Sequence, residues 1–271
     1  MSAIVSSRDP NAEYLLIGAY IRYSSWTARI VAILEHFKIP YRFSQHNKAD
    51  PNGLQTIHSQ PARLVPTLTV PSLGPNPIHD SLAITEFLAE SHPDLPLWPA
   101  SRRLRALARS LVAEFHSGFG NLRNNYHTNY EVARFLECVD LARRETLEVG
   151  VEGPYLFGSF GAADAFYWPV LWRLRTYGFD LSAASPLARE WIVAMWKDPV
   201  LVELGRQMFI DAENPETRVP EYEGIFPGGA EMIHQNEPRH LNILRSTDYR
   251  IPQDRDLAQY FFGHGLTWHS T

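Results

Sequence analysis

Three prolines fall within seven residues in Pro93-Asp94-Leu95-Pro96-Leu97-Trp98-Pro99, and the hydrophobic pattern differs on their two sides. Proline lacks an N–H for a helix or ladder and biases the residue before it toward extended backbone, so no regular element crosses this run. Before it, short apolar runs alternate with helical patterns. Residues 14–19 have strand length. Trp26, Ile30, Ile33, Leu34 and Phe37 then recur at helical spacing until Pro40, and residues 41–46 alternate rings with polar side chains. Residues 67–70 and a short run at Ile78, separated by the turn-rich segment 71–77, predict a hairpin that feeds a helix over 81–91. Beyond the proline run, amphipathic helical segments cover 101–127, 130–149, 162–177 and 186–208, with no strand-like alternation between them. From Asp211 onward, Pro215, Pro220, Pro227, Gly228, Gly229, Pro238 and Pro252 predict an irregular C-terminal extension. The expected domains are therefore an α/β unit over 1–92, a linker over 93–100, an all-α helical bundle over 101–210 and the extension over 211–271.

Composition narrows the function classes. A formal charge of −5 gives no general attraction to a phosphate backbone. Arg102, Arg103, Arg105 and Arg109 form a local basic stripe, which reads as a solvated helix face rather than a nucleic-acid site. No apolar stretch approaches the roughly 20 residues of a spanning helix, and the N-terminus lacks a charged start followed by a long apolar run. A cytoplasmic protein without a membrane partner is expected. The single cysteine, Cys138, rules out an intrachain disulfide and reads as a buried small hydrophobe on a helix face. Eleven histidines invite a metal reading, but His234, His240, His264 and His269 are widely spaced in the irregular extension, and no metal is expected. A G-x-S-x-G elbow is missing, and Gly118-Phe119-Gly120 lacks the third glycine of a dinucleotide loop.

Three motifs carry chemistry. Ser24-Ser25-Trp26-Thr27-Ala28-Arg29 opens the first helical pattern, and a hydroxyl-rich turn at a helix N-terminus offers donors and a positive dipole end to a thiolate. Arg63-Leu64-Val65-Pro66-Thr67-Leu68 sets a Val-Pro step before a short strand, able to present backbone N–H and C=O to an extended ligand. Ile78-His79-Asp80-Ser81-Leu82 begins the next helix with an acid and a hydroxyl, suited to an ammonium and a carboxylate together. A sulfur held between two charged ends is the chemical outline of glutathione. Two of these motifs also have a plainer reading, in which Ser24 and Asp80 are ordinary helix N-caps.

In order and spacing, these motifs resemble the glutathione transferase superfamily over residues 14–204. The match takes in Arg105-Ala106-Leu107-Ala108-Arg109 and the segment Pro154-Tyr155-Leu156-Phe157-Gly158-Ser159-Phe160-Gly161-Ala162-Ala163-Asp164-Ala165. The S-x-W-x-x-R start and the segment 113–123 resemble the serine-type classes, including the zeta (maleylacetoacetate isomerase) group and related fungal and bacterial enzymes. That resemblance implies a thioredoxin-like N-terminal domain, an all-helical second domain, a homodimer and glutathione as co-substrate or cofactor. It implies a catalytic hydroxyl at Ser24, with Ser25 or Tyr23 as substitutes. Relatives of the zeta type carry a cysteine at the Ser24 position. It further implies a cis bond at Val65-Pro66 and a γ-glutamyl site at Asp80 and Ser81. Leu64 departs from the family's usual Lys or Gln, so His46, Lys48 and Gln60 are candidates for the glycine end. Gly161 stands where relatives have the Ser or Thr of a capping box completed by Asp164. A hydrophobic electrophile is expected between the domains, near Phe115, Phe119 and Arg123, with Asn124 and Tyr126 in the same region.

The thiol of glutathione is mostly protonated at neutral pH, like a free cysteine near pKa 8.5, so the protein must stabilise the thiolate. Three functions use such a site: conjugation to an electrophile, cofactor-like cis-trans isomerisation of a conjugated olefin, as in fungal secondary metabolism, or glutathione binding without turnover. Conjugation is the broadest of them.

Overall fold

The structure, a computed structural model, describes residues 7–45, 64–120, 129–176, 181 and 183–217. They form two compact units, one built on Met1–His92 and the segment starting at Pro199, the other on Pro93–Asp198.

In the first unit, strand β1 (Tyr14–Gly18) leads through a turn into helix α1 (Ser25–His36) and back into β2 (Tyr41–Gln45). β1 and β2 are parallel, with Tyr14 opposite Tyr41 and Gly18 opposite Gln45, as a strand–helix–strand unit requires. β3 (Thr67–Thr69) and β4 (Ile78–His79) add antiparallel, giving the order β2-β1-β3-β4. Helix α2 (Ser81–Ser91) follows. Among the described residues, the strand–helix–strand and hairpin pattern of the sequence thus forms one mixed sheet with helices.

α1 is buried without interruption from Thr27 to Glu35, which fits an element covered on all sides rather than a surface helix. It packs against α2 and against α7 (Pro199–Glu213). Its last turn carries a buried acid, Glu35, whose Oε1 accepts from the Tyr41 hydroxyl at 2.8 Å and whose Oε2 accepts from Ser7 N–H at 2.7 Å. Burial, with Glu35 alongside, pushes the Tyr41 hydroxyl well above the ordinary tyrosine range.

The second unit contains α3 (Arg102–Ser117), α4 (Asn129–Glu148), α5 (Ala162–Thr176) and α6 (Pro186–Lys197). Its core is aromatic: Tyr167 stacks on Phe135 and contacts Phe115 and Trp191 at centroid distances of 5.1–6.3 Å. Cys138 is buried within this unit, and burial raises its thiol pKa, so it is an inert packing residue.

Two expected helical spans are interrupted. The span 186–208 is two helices, because Asp198 is extended at φ −59°, ψ 121° ahead of Pro199, which has no N–H to continue the ladder. The span 101–127 leaves the helix at Gly118 and Phe119, the latter at φ 56°. A Cβ on Gly118 would lie 2.8 Å from the Glu114 carbonyl oxygen, so this exit needs a glycine.

Candidate active site

Strand register brings the three sequence motifs together. β1 ends at Gly18, beside the turn that leads to Ser24. β3 starts at Thr67, opposite Ile17, and β4 ends at His79, opposite the same Thr67. The Ser24 turn, Val65-Pro66 and Asp80-Ser81 therefore all leave or enter the sheet at one end. Gln45 closes β2 at this end and donates from Nε2 to the Gly18 carbonyl at 3.4 Å. His46, Lys48, Gln60, Arg123, Asn124 and Tyr126 lie outside the described residues.

Ser24 is the N-cap of α1, with φ −102° and ψ 96°. Its backbone is held by Ser24 N–H donating to the Tyr20 carbonyl at 2.9 Å. Its Oγ accepts from the Thr27 backbone N–H at 3.2 Å and from the Thr27 hydroxyl at 3.0 Å. Ser24, Ser25 and Tyr23 are all half-buried, so the three hydroxyl residues of this turn remain partly accessible. The Arg22 guanidinium stacks over the Tyr23 ring at 4.2 Å. Nearby Tyr20 has a raised pKa, mainly through burial and then the negative field of Asp211 in α7.

The Val65–Pro66 bond is cis. Pro66 is buried, Val65 half-buried, and Leu64 is 71% exposed. Thr67 Oγ1, next in the chain, is buried with no hydrogen-bond partner among the described residues. Asp80 is exposed and held at φ 77°, ψ 131°, a positive-φ conformation uncommon for any residue with a side chain. Its Oδ1 accepts from Leu82 N–H at 2.7 Å, capping α2. Ser81 is only 1% exposed, and Arg29 Nη1 donates to its Oγ at 3.5 Å. Arg29 is itself 1% exposed, and its guanidinium lies 4.3 Å from the Trp26 ring. The arginine of the first motif thus tethers the third, a role its spacing does not announce.

Phe115 and Phe119 are 2% and 7% exposed, with ring centroids 5.2 Å apart. Phe115 also contacts Tyr167, so its ring belongs to the core of the second unit rather than to an open substrate surface; a helical aromatic stripe looks the same in either case.

A family model described as "Glutathione S-transferase, N-terminal domain" matches residues 23–91, and one described as "Glutathione S-transferase, C-terminal domain" matches 130–194. The chain belongs to the glutathione S-transferase superfamily. It is 27% identical over 210 residues to a pyrimidodiazepine synthase of Drosophila melanogaster, covering 73% of this chain and 84% of that protein. It is 36% identical over 104 residues to a probable maleylacetoacetate isomerase of Caenorhabditis elegans, a stretch that spans 45% of that protein. Among solved structures, a maleylacetoacetate isomerase from Anaeromyxobacter dehalogenans, with bound dicarboxyethyl glutathione and citrate, superposes with a TM-score of 0.58. That match has 24% identity and covers 78% of this chain and 99% of the other, a likeness of fold.

Within the glutathione S-transferase fold, the capping box of the second unit is formed from its acidic side alone, since Gly161 has no side chain to supply the other half. Asp164 Oδ2 accepts from Gly161 N–H at 3.0 Å, while Oδ1 accepts from Leu156 N–H at 3.0 Å and Trp191 Nε1 at 2.8 Å. A Cβ at Gly161 would approach the Leu97 carbonyl oxygen to 3.0 Å, and Ala162 N–H donates to that same oxygen at 2.8 Å. The close approach of the 93–99 segment leaves little room for a side chain at 161. Among the described residues no cluster of three or more His, Cys, Asp or Glu could hold a metal, and no helix is long and apolar enough to cross a membrane.

Proposed function

We propose that this enzyme of the glutathione S-transferase superfamily activates glutathione for attack on a hydrophobic electrophile. The observation that carries the reading is Ser24, a half-buried hydroxyl at the N-terminus of α1 whose oxygen already accepts two hydrogen bonds. Its proton is left to donate to a sulfur, and the helix terminus adds about 0.3 to 1 kcal/mol in favour of negative charge there. Ser25 and Tyr23 are the substitute donors on the same turn. The donor set around Ser24 suits the rest of the tripeptide. Val65 presents backbone groups beside the cis bond, and Asp80 offers an exposed carboxylate to an ammonium. The start of α2 at Ser81 offers N–H groups to a carboxylate, and the orphaned Thr67 Oγ1 is a further polar atom at this end of the sheet. His46, Lys48 and Gln60 remain the candidates for the glycine carboxylate, and Phe119 and Arg123 for the electrophile. When bound, glutathione supplies the nucleophilic thiolate.

Residues 1–92 then serve as the glutathione-binding domain, 93–100 as a linker, 101–210 as the electrophile-binding domain and 211–271 as an extension. The working form is a cytoplasmic homodimer without nucleic-acid or membrane partners. A second reading is glutathione-dependent cis-trans isomerisation of a conjugated olefin, as in a fungal secondary-metabolite pathway. It is favoured by the stretch 36% identical to a probable maleylacetoacetate isomerase.

Conjugation consumes one glutathione per turnover and adds its mass to the product, whereas isomerisation recycles it. Conjugated enones incubated with limiting glutathione are expected to give adducts by mass spectrometry, in amounts capped by the glutathione supplied. Many turnovers per glutathione, with altered double-bond geometry and no adduct, would instead assign the isomerase reaction.

A further inference from the structure

We infer that Thr27 is a positioning residue that aims the Ser24 proton at the glutathione sulfur, an inference that rests on the Ser24 assignment above. Thr27 is fully buried, so its hydroxyl needs partners inside the protein. Thr27 Oγ1 accepts from the Ala19 N–H at 3.2 Å, a donor that cannot reverse. Its own proton requires an acceptor, and the one at hand is Ser24 Oγ at 3.0 Å. The Thr27 backbone N–H occupies the second acceptor position on Ser24 Oγ. A serine oxygen accepts two hydrogen bonds and donates one. With both lone pairs engaged from the side of α1, the Ser24 proton must point away from the helix. Among the described residues nothing accepts it.

The chain of bonds thus runs in one direction, from Ala19 N–H through the Thr27 hydroxyl to the Ser24 hydroxyl. Each link polarises the next, which strengthens the terminal donor, and a strengthened donor favours a thiolate over a thiol. Gly18 belongs to the same device. A Cβ there would lie 2.4 Å from Thr27 Cγ2 and 3.2 Å from Thr27 Oγ1, so only glycine leaves Thr27 in this place.

The test is the pKa of enzyme-bound glutathione, read by ultraviolet thiolate absorbance, with affinity for S-methylglutathione as a check that the site is formed. Thr27→Val keeps the shape and removes the hydroxyl; it is expected to leave about threefold less thiolate at neutral pH, with S-methylglutathione affinity unchanged. Thr27→Ser restores the hydroxyl and should recover the wild-type titration. Ser24→Ala should cost about tenfold in thiolate, and adding Thr27→Val to it should cost nothing further. Gly18→Ala provides a second route: it displaces Thr27 without deleting its hydroxyl and should also lower the thiolate fraction. An unchanged titration in a folded Thr27→Val or Gly18→Ala, alongside a shifted one in Ser24→Ala, overturns the Thr27 role and leaves Ser24 in place. An unchanged titration in Ser24→Ala removes the Ser24 assignment, and the Thr27 role falls with it.

Discussion

A hydroxyl that accepts two hydrogen bonds still has a proton to give, so capping a helix and donating to a ligand are compatible tasks for Ser24. Asp80 combines tasks in the same way, and there they can be separated. Its Oδ1 caps α2 through Leu82 N–H, its backbone sits at φ 77°, and its carboxylate is exposed. Asparagine caps as well as aspartate and has nearly the same shape, but carries no charge. Asp80→Asn should therefore keep thermal stability while weakening glutathione binding about fivefold, the difference between a charged and a neutral acceptor for an ammonium. Calorimetry giving wild-type affinity would exclude Asp80 from the γ-glutamyl site. Ser24, the Val-Pro step and Asp80-Ser81 were legible in the sequence because their residue types are tied to local geometry at a helix start or a cis bond. Thr27 was not, since its part depends on a count of lone pairs across a folded turn. Phe115 was ambiguous because helical spacing does not say whether a buried face meets a core or a ligand.

Among the elements, the strand–helix–strand start and the hairpin were readable from period and punctuation, whereas two helix ends were not. The Asp198-Pro199 break was signalled by proline's effect on its predecessor, yet the apolar period runs on through it and masks the boundary. Asp164, at the head of α5, shows how strongly an element start can be committed. It is wholly buried, and burial pushes its carboxyl up to about 6 despite the N–H groups it accepts from. Because the folded carboxyl holds its proton more tightly than the unfolded one, the folded state binds more protons between about pH 4 and 6. Its contribution to stability is therefore full below pH 4 and falls by about 3 kcal/mol as pH rises through 6. Asp164→Asn lacks this titration. In urea denaturation the wild-type advantage over Asp164→Asn should be largest near pH 4 and shrink toward pH 7. An advantage that grows with pH would mean that the ionised form is the one this cap prefers.

At the scale of the whole molecule, the helix that follows Pro199 groups with the first unit rather than with the helices that precede it in the chain. The physical basis is α7 packing on α1, with Leu201, Leu204 and Met208 at 2–9% exposure. Sequence order alone assigns this segment to the preceding helices, since an amphipathic pattern names a buried face but not its partner. The described chain then closes in a short turn, Pro215–Thr217, where the Thr217 hydroxyl donates to the Asn214 carbonyl at 2.9 Å and also to that of Asp211. A cut at Asp211 would remove both the end of α7 and this closure, so the informative truncations lie elsewhere. A chain ending after Thr217 keeps all of α7 and its closing turn, and is the reference against which the loss of α7 is read. A chain ending at Asp198 loses the buried apolar side chains Leu201, Leu204 and Met208, worth about 1.5 to 3 kcal/mol each, and uncovers α1. It should melt at lower temperature and bind glutathione more weakly, because α1 carries both Ser24 and the Arg29 tether to Ser81. Equal melting temperatures for the two truncations would show that α7 is dispensable to the unit, and would detach the end of the chain from the glutathione site altogether.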